Sequence, residues 1–212
     1  MMVEALHEDA DLLVLRKPPG LLCVPGKGPD KQDALSARAQ ARWPGALIVH
    51  RLDQATSGLV LMARHIEAQR RLSRAFEQRQ VAKRYLAVVR GRMGSADGAW
   101  HAIDLPIAAD WPRRPLRVID PVNGKPSLTR WRALAHDDAA GTTRVELEPV
   151  TGRTHQLRVH LAAVGHPILG DALYADAATQ ALAPRLLLHA SHLAFAHPVT
   201  GAAMAFEWPA GF

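Results

Sequence analysis

Three observations predict an α+β fold with a mixed, largely antiparallel sheet. Strand-like apolar runs follow one another through the middle of the chain, helical periodicity is confined to three stretches, and the two do not alternate as a regular βαβ series would. The elements follow in order. "DLLVLRKPPGLLCVPG" begins as a short strand and is forced into a turn at Pro18-Pro19-Gly20, because proline fixes φ and lacks a donor. "DALSARAQARW" reads as helix, and "ALIVHRL" and "GLVLMAR" read as two buried strands on either side of a turn that carries Asp53. In "HIEAQRRLSRAFEQRQ", Ala68, Leu72, Ala75 and Phe76 share one helical face, which leaves Arg70, Arg71, Arg74 and Arg79 to the others.

"AKRYLAVVRG", "WHAIDLPIA", "SLTRWRALA" and "TRVELEPV" read as strands, the last with Val145, Leu147 and Pro149 alternating against Glu146 and Glu148. At "VTGRTHQLRVHLAAVGHP" the period changes: Leu157, Leu161 and Val164 recur at helical spacing, Thr151 is a candidate cap, and Gly165 and Pro167 end the helix. "RLLLHASHLAFAHP" and "MAFEWP" close the chain as strands. No internal repeat, low-complexity tract or long polar linker divides the 212 residues, so one domain is expected from about residue 8 onward.

Composition narrows the function classes. No apolar run reaches the roughly 20 residues of a membrane-spanning helix, and the first residues lack the pattern of a secretory signal, so a cytoplasmic protein is expected. The single cysteine, Cys23, cannot form an internal disulfide. With 26 Lys+Arg against 20 Asp+Glu the formal charge is +6, which favours polyanionic partners, nucleic acid first among them.

The motifs exclude more than they offer. His155, His160 and His166 are spaced five and six apart, which does not align imidazoles on one helix face, and neither a Cys pattern nor HExxH accompanies them, so no metal site is expected. "GKGPDK" is not a phosphate-binding loop, and "TSG" at 56–58 lacks the frame of a nucleophile elbow. Asp53 remains. A carboxylate held ionised beside an arginine serves as nucleophile or proton shuttle, and without such a partner a buried one takes up a proton. Arg153 and Arg158 are the candidate cations, Arg158 at the border of the apolar helix face. The alternative is an Asp53 that only closes a turn or a salt bridge.

Five segments together resemble the RluA-type pseudouridine synthases. "HRLDQATSGLVLMAR" matches the H-R-L-D-x-x-T-S-G motif, "KRYLAVVRG" a K-x-Y-x-A-x-V segment, and "TGRTHQLRVHLAAVGHPILGDALY" a third. "RKPPGLLCVPG" and "RLLLHA" resemble the opening and closing strands. The resemblance implies isomerisation of uridine to pseudouridine in RNA without cofactor, and the pseudouridine synthase catalytic fold over residues 1–212 as a single domain with no N-terminal S4 domain. It implies Asp53 as the catalytic aspartate, Tyr85 as the tyrosine beside the base and Arg158 as the arginine paired with Asp53. Arg51, His50, Thr56, Arg153 and Arg84 fall to RNA binding and base flipping, Arg51 either filling the stack that an extruded uridine leaves or contacting phosphate. "LPIAADWPRRP" and "APRLLLHA" resemble the short bifunctional branch, whose expected target is a uridine of the tRNA anticodon stem-loop, of a 23S rRNA hairpin, or both, bound by a monomer; the alternative is the same reaction on another tRNA or rRNA site. Arg38, Arg42, Arg70, Arg71, Arg74, Arg79, Lys83, Arg84, Arg113 and Arg114 are candidates for phosphate contacts. An RNA-binding protein without catalysis is the competing class and predicts a broken motif. A glycosidase would need a second carboxylate beside Asp53, with Asp104 and Asp171 as the candidates.

Overall fold

The computed structural model describes residues 3–212. They form two compact units: one holds the chain up to Lys83 and again Ala190–Gly211, the other Arg84–His189 with Phe212. The first unit opens with a strand that sequence reading passes over, β1 (Glu4–Glu8), antiparallel to β2 (Leu12–Lys17). Leu12, Leu13, Val14 and Leu15 are all fully buried, so β2 is covered on both faces, which is why its sequence runs apolar without alternation. Helix α1 (Leu35–Arg42), the two-residue strand β3 (Leu47–Ile48), β4 (Ser57–Ala63) and α2 (Ile66–Glu77) follow. β4 is buried along its whole length and pairs antiparallel with β2, Leu13 facing Met62 and Leu15 facing Val60. Ala68 and Leu72 of α2 enter the core formed with Leu12, Val14, Leu59 and Leu61, and Ala75 and Phe76 pack at its margin, as the helical stripe predicts.

"ALIVHRL" departs from the expected buried strand. Only Leu47 and Ile48 pair with β4, opposite Ala63 and Met62, and both are half-buried. Nε2 of His50 accepts the Leu61 N–H at 3.0 Å, so a side chain takes the donor that a continuing strand would have bonded, and the backbone turns away.

In the second unit, most of β5 (Ala82–Arg90) lies beside later strands. β6 (His101–Asp104), β7 (Ile107–Ala109), β8 (Arg117–Ile119), β9 (Leu128–Asp137) and β10 (Thr142–Pro149) follow. The order β5-β10-β9-β6 is antiparallel at each step, with β7 and β8 as a separate hairpin. β10 alternates as expected, Thr143, Val145, Leu147 and Pro149 buried between half-buried neighbours. Helix α3 (Gln156–Ala163) contacts β9 and β10. Thr151 does not cap it. The N-cap is His155 in the left-handed region at φ 57 with no side-chain cap, while the Thr151 hydroxyl donates to Gln156 Oε1 at 2.8 Å and accepts the Leu128 N–H at 2.9 Å. After the short helix α4 (Ala177–Ala181) the chain returns to the first unit with β11 (Leu188–Ala196) and β12 (Ala203–Glu207), a hairpin that adds Leu193 and Phe195 to its core. These strand runs with few helices are the α+β class that the sequence predicts. No helix among the described residues is long and apolar enough to cross a membrane.

Candidate active site

Asp53 sits on an irregular stretch between β3 and β4, half-exposed, between exposed Arg51 on one side and buried Thr56 on the other. Its carbonyl accepts the Thr56 N–H at 3.1 Å, which closes the turn. The turn is held from beneath by a residue that sequence reading treated only as the approach to a proline turn. Lys17 at the end of β2 is fully buried, and its Nζ donates to the carbonyls of Pro18 at 3.1 Å, Gln54 at 2.9 Å and Thr56 at 2.7 Å. All three ammonium hydrogens are used, and two of the acceptors lie one and three residues after Asp53, on its own turn. Burial pulls the Lys17 pKa down to about 8, against the nearby Asp53 carboxylate, which favours its protonated form.

Further ties fix the same loop. The Gly20 N–H donates to the Gln54 carbonyl at 2.8 Å, and the Gln54 side-chain amide returns a bond to the Gly20 carbonyl at 3.0 Å. Sγ of buried Cys23 accepts the Leu52 N–H at 3.2 Å, and burial pushes the Cys23 thiol pKa up, so this sulfur is a structural acceptor rather than an activated thiolate. On the far side, Gly58 has φ +133, and a Cβ there would lie 2.4 Å from the Ala190 backbone nitrogen. Only glycine fits that contact, and it lets β4 leave the turn directly against the neighbouring backbone.

His50 stacks on Phe76 at 4.5 Å with an interplanar angle of 23°, and burial, then the charge of Lys83, takes its pKa down to about 3. With Nε2 accepting from Leu61, the neutral ring carries its proton on Nδ1. The imidazole therefore acts as an uncharged prop under the loop.

The other expected site residues belong to the second unit. Tyr85 of β5 stands opposite Leu147 of β10, half-buried. The adjacent Arg84 lies 3.7 Å from Glu146 and 5.8 Å from the Trp100 ring centroid. Arg153 is exposed and reaches the Pro126 carbonyl at 3.3 Å. Arg158 of α3 is buried, as its position at the border of the apolar face predicts, and makes a two-point ion pair with buried Asp171. Nε donates to Oδ2 at 2.8 Å and Nη2 to Oδ1 at 2.5 Å. Sequence reasoning weighed Asp171 only as a second carboxylate for a glycosidase and missed its pairing with Arg158. Its signal was the turn-forming "GDALY", in which Oδ1 also accepts the N–H groups of Leu173 at 2.9 Å and Tyr174 at 3.2 Å.

Several candidates for phosphate contact have partners of their own. Arg38 pairs with Asp33, Arg70 with Glu67 and Arg113 with Asp110, while Arg114 stacks on Trp111 at 3.7 Å. Of the histidines weighed as ligands, His155 Nδ1 is 2.6 Å from the Tyr174 hydroxyl, His160 bonds Thr129 and the Leu105 carbonyl, and His166 the Arg90 carbonyl. Among the described residues one group, Asp9, Asp11 and His197, has the composition of a metal site. Nδ1 of His197 accepts the N–H groups of Val199 at 3.2 Å and Thr200 at 3.1 Å, so its proton sits on Nε2, facing Asp9 at 3.3 Å and Asp11 at 3.6 Å. That nitrogen offers the carboxylates a hydrogen where a metal would need a lone pair.

The fixed turn presents the half-exposed carboxylate of Asp53. The comparisons give the class. A family model described as RNA pseudouridylate synthase matches residues 11–163. Over 207 residues the chain is 45% identical to the dual-specificity RNA pseudouridine synthase RluA of Yersinia pestis, covering 98% of each. It is also 45% identical to that of Escherichia coli K12, covering 98% of this chain and 93% of the relative. A solved structure, human RNA pseudouridylate synthase domain containing 1, superposes with a TM-score of 0.80 at 31% identity, over 98% of this chain and 83% of that one. The chain belongs to the RNA pseudouridylate synthase family. It is an isomerase of the RluA type that converts uridine in RNA to pseudouridine.

Proposed function

We propose that Asp53 is the carboxylate through which the uridine is isomerised, and that the substrate is a stem-loop of tRNA, of 23S rRNA, or both. The observation that carries the first part is the Lys17 clamp: a buried ammonium spends all three hydrogens on holding the turn on which Asp53 stands. The dual specificity named for the relatives at 45% identity supports the second. In this reading residues 1–212 act as one catalytic domain in the cytoplasm, as a monomer.

The reaction breaks the N1–C1′ bond, turns the uracil and joins C5 to C1′, and the C5 proton is then lost. Asp53 attacks C1′ or removes the C2′ proton, and either role needs the ionised carboxylate. Tyr85 stacks on the base and takes part in proton transfer, and Arg158 supplies the cation that keeps Asp53 ionised. A uridine within a stem must first be extruded at a cost of a few kcal/mol, and Arg51, exposed two residues before Asp53, fills the vacated stack.

The test is tritium release from RNA labelled at C5 of uridine. Asp53→Asn keeps the shape of the side chain and loses its charge, so RNA affinity is expected to persist while turnover falls below about a thousandth of wild type. Turnover well above that level removes Asp53 from the essential role. Mapping pseudouridine in total RNA from cells lacking the gene identifies the target, and unmodified sites outside tRNA and 23S rRNA would refute the assignment of substrate.

A further inference from the structure

Arg158 is a charge inside an apolar helix face, between buried Leu157 and Val159, and a guanidinium does not give up its proton there. It must be paired, and the pairing partner determines where it points. Asp171 takes the Nε–Nη2 edge with both carboxylate oxygens, at 2.8 and 2.5 Å. The Tyr174 ring lies under the guanidinium, 5.1 Å from Cζ to centroid. Edge and face are both fixed, which sets the direction of the remaining Nη1 end.

Asp171 is itself rigidly mounted. Its Oδ1 accepts the N–H groups of Leu173 and Tyr174, so the carboxylate is bound to its own turn and cannot follow a swinging arginine. The preceding Gly170, at φ +72, lies so close to Arg185 that a Cβ would meet that carbonyl oxygen at 1.9 Å. Leu169 donates to the Val88 carbonyl and accepts from the Leu187 N–H, each at 3.0 Å. The Tyr174 hydroxyl is held in turn by the Arg117 N–H at 3.0 Å and by His155 Nδ1 at 2.6 Å.

We propose that Asp171 is a positioning residue for the isomerisation, acting through Arg158 by fixing the orientation of its guanidinium. The proposal rests on the reading of Arg158 as a participant in the reaction. A long side chain free to change rotamer is misplaced by an ångström or more, and misplacement of that size costs about 10- to 100-fold in rate.

Single-turnover tritium release with saturating enzyme is the assay, with RNA affinity and thermal melting recorded for each variant. Asp171→Asn keeps an oxygen for the turn N–H groups but breaks the two-point pair. The expected loss in rate is about 10- to 100-fold, with RNA Kd within about twofold of wild type. In an Arg158→Lys background the same substitution is expected to cost less than about twofold, because there is no fork left to orient. Equal losses in both backgrounds mean that Asp171 acts as general scaffold, and overturn the proposal. A slow Arg158→Lys beside a fully active Asp171→Asn also overturns it, while leaving Arg158 in the reaction. Arg158→Lys at wild-type rate removes Arg158 from the reaction, and the proposal falls with that reading. Should Asp171→Asn not fold, Asp171→Glu decides: it keeps the charge and shifts the fork by one methylene, and a wild-type rate overturns the proposal.

Discussion

Replacing Lys17 by methionine separates the two ways in which a buried ammonium acts on stability. The substitution preserves the length of the stem and removes the three donors that reach Pro18, Gln54 and Thr56. Hydrogen bonds from a charged group contribute about 1.5–3 kcal/mol each. Against their loss stands relief from burying the charge: a pKa reduced from 10.5 to about 8 corresponds to about 3 kcal/mol. The bonds outweigh the relief, and Lys17→Met is expected to be less stable than wild type by about 1.5–6 kcal/mol at pH 7. The pH dependence then tests the cause. A lysine whose folded pKa lies below its unfolded value binds fewer protons folded than unfolded between about pH 8 and 10.5, so stability rises with pH across that window. From pH 7 to pH 10 this linkage adds about 2.5 kcal/mol to wild type and nothing to the methionine variant. Titrating groups not coupled to Lys17 cancel in the difference, and Cys23, whose pKa the Lys17 charge lowers, is replaced by alanine in both proteins. Urea unfolding at the two pH values measures it. A stability gap that stays constant from pH 7 to 10 refutes the burial cost, and a variant as stable as wild type at both refutes the clamp.

Tyr85→Phe retains the ring and loses the hydroxyl, so RNA affinity should hold while the single-turnover rate falls by about 100-fold or more; collapse of binding at an unchanged rate would make Tyr85 a recognition residue. Burial works to raise the pKa of Asp9, but the His7 hydrogen bond and the N–H groups of Asp11 and Leu12 outweigh it and bring it to about 2. The stability this carboxylate contributes is present above its unfolded value of 3.8 and is lost as pH falls through about 2; discounted for solvent screening it is about 1 kcal/mol, and Asp9→Asn should lose that much by urea unfolding at pH 7 and nothing at pH 2. Arg51→Ala should slow turnover of a structured stem-loop by roughly 10- to 100-fold and spare a short unpaired RNA, whose base needs no extrusion. Equal losses on the two RNAs, with a salt slope of binding shallower by about one, would make Arg51 a phosphate contact.

What the sequence exposed and what it hid follow from the range of the interactions. The α2 stripe and the alternation of β10 are repeats of side-chain type along one element, and both appear where periodicity puts them. β3 was misread because its end depends on a bond from His50 to the backbone of another strand, and apolar content carries no record of that. Thr151 was misread as a cap because a hydroxyl near a helix start has several acceptors within reach, and Gln156 supplied one. The short pieces β1, β8 and α4 have too few residues to show a period.

The candidate site divides along the same line. Asp53 drew attention because a lone carboxylate at a turn between apolar runs is a local oddity. Lys17 drew none and Asp171 only as a possible second carboxylate beside Asp53, since a lysine before two prolines and an aspartate after a glycine read as ordinary turn residues. What distinguishes them is burial. A charged group excluded from water is costly unless every hydrogen or lone pair it has is used, and Lys17 spends its three hydrogens on backbone carbonyls while the two oxygens of Asp171 receive Arg158 and two backbone N–H groups. A fold that needed only stability could replace such groups by well-packed apolar side chains at little loss. Each here holds a residue proposed for the chemistry: Lys17 the turn of Asp53, Asp171 the guanidinium of Arg158. Orientation of those two groups is the return that an apolar replacement would not supply.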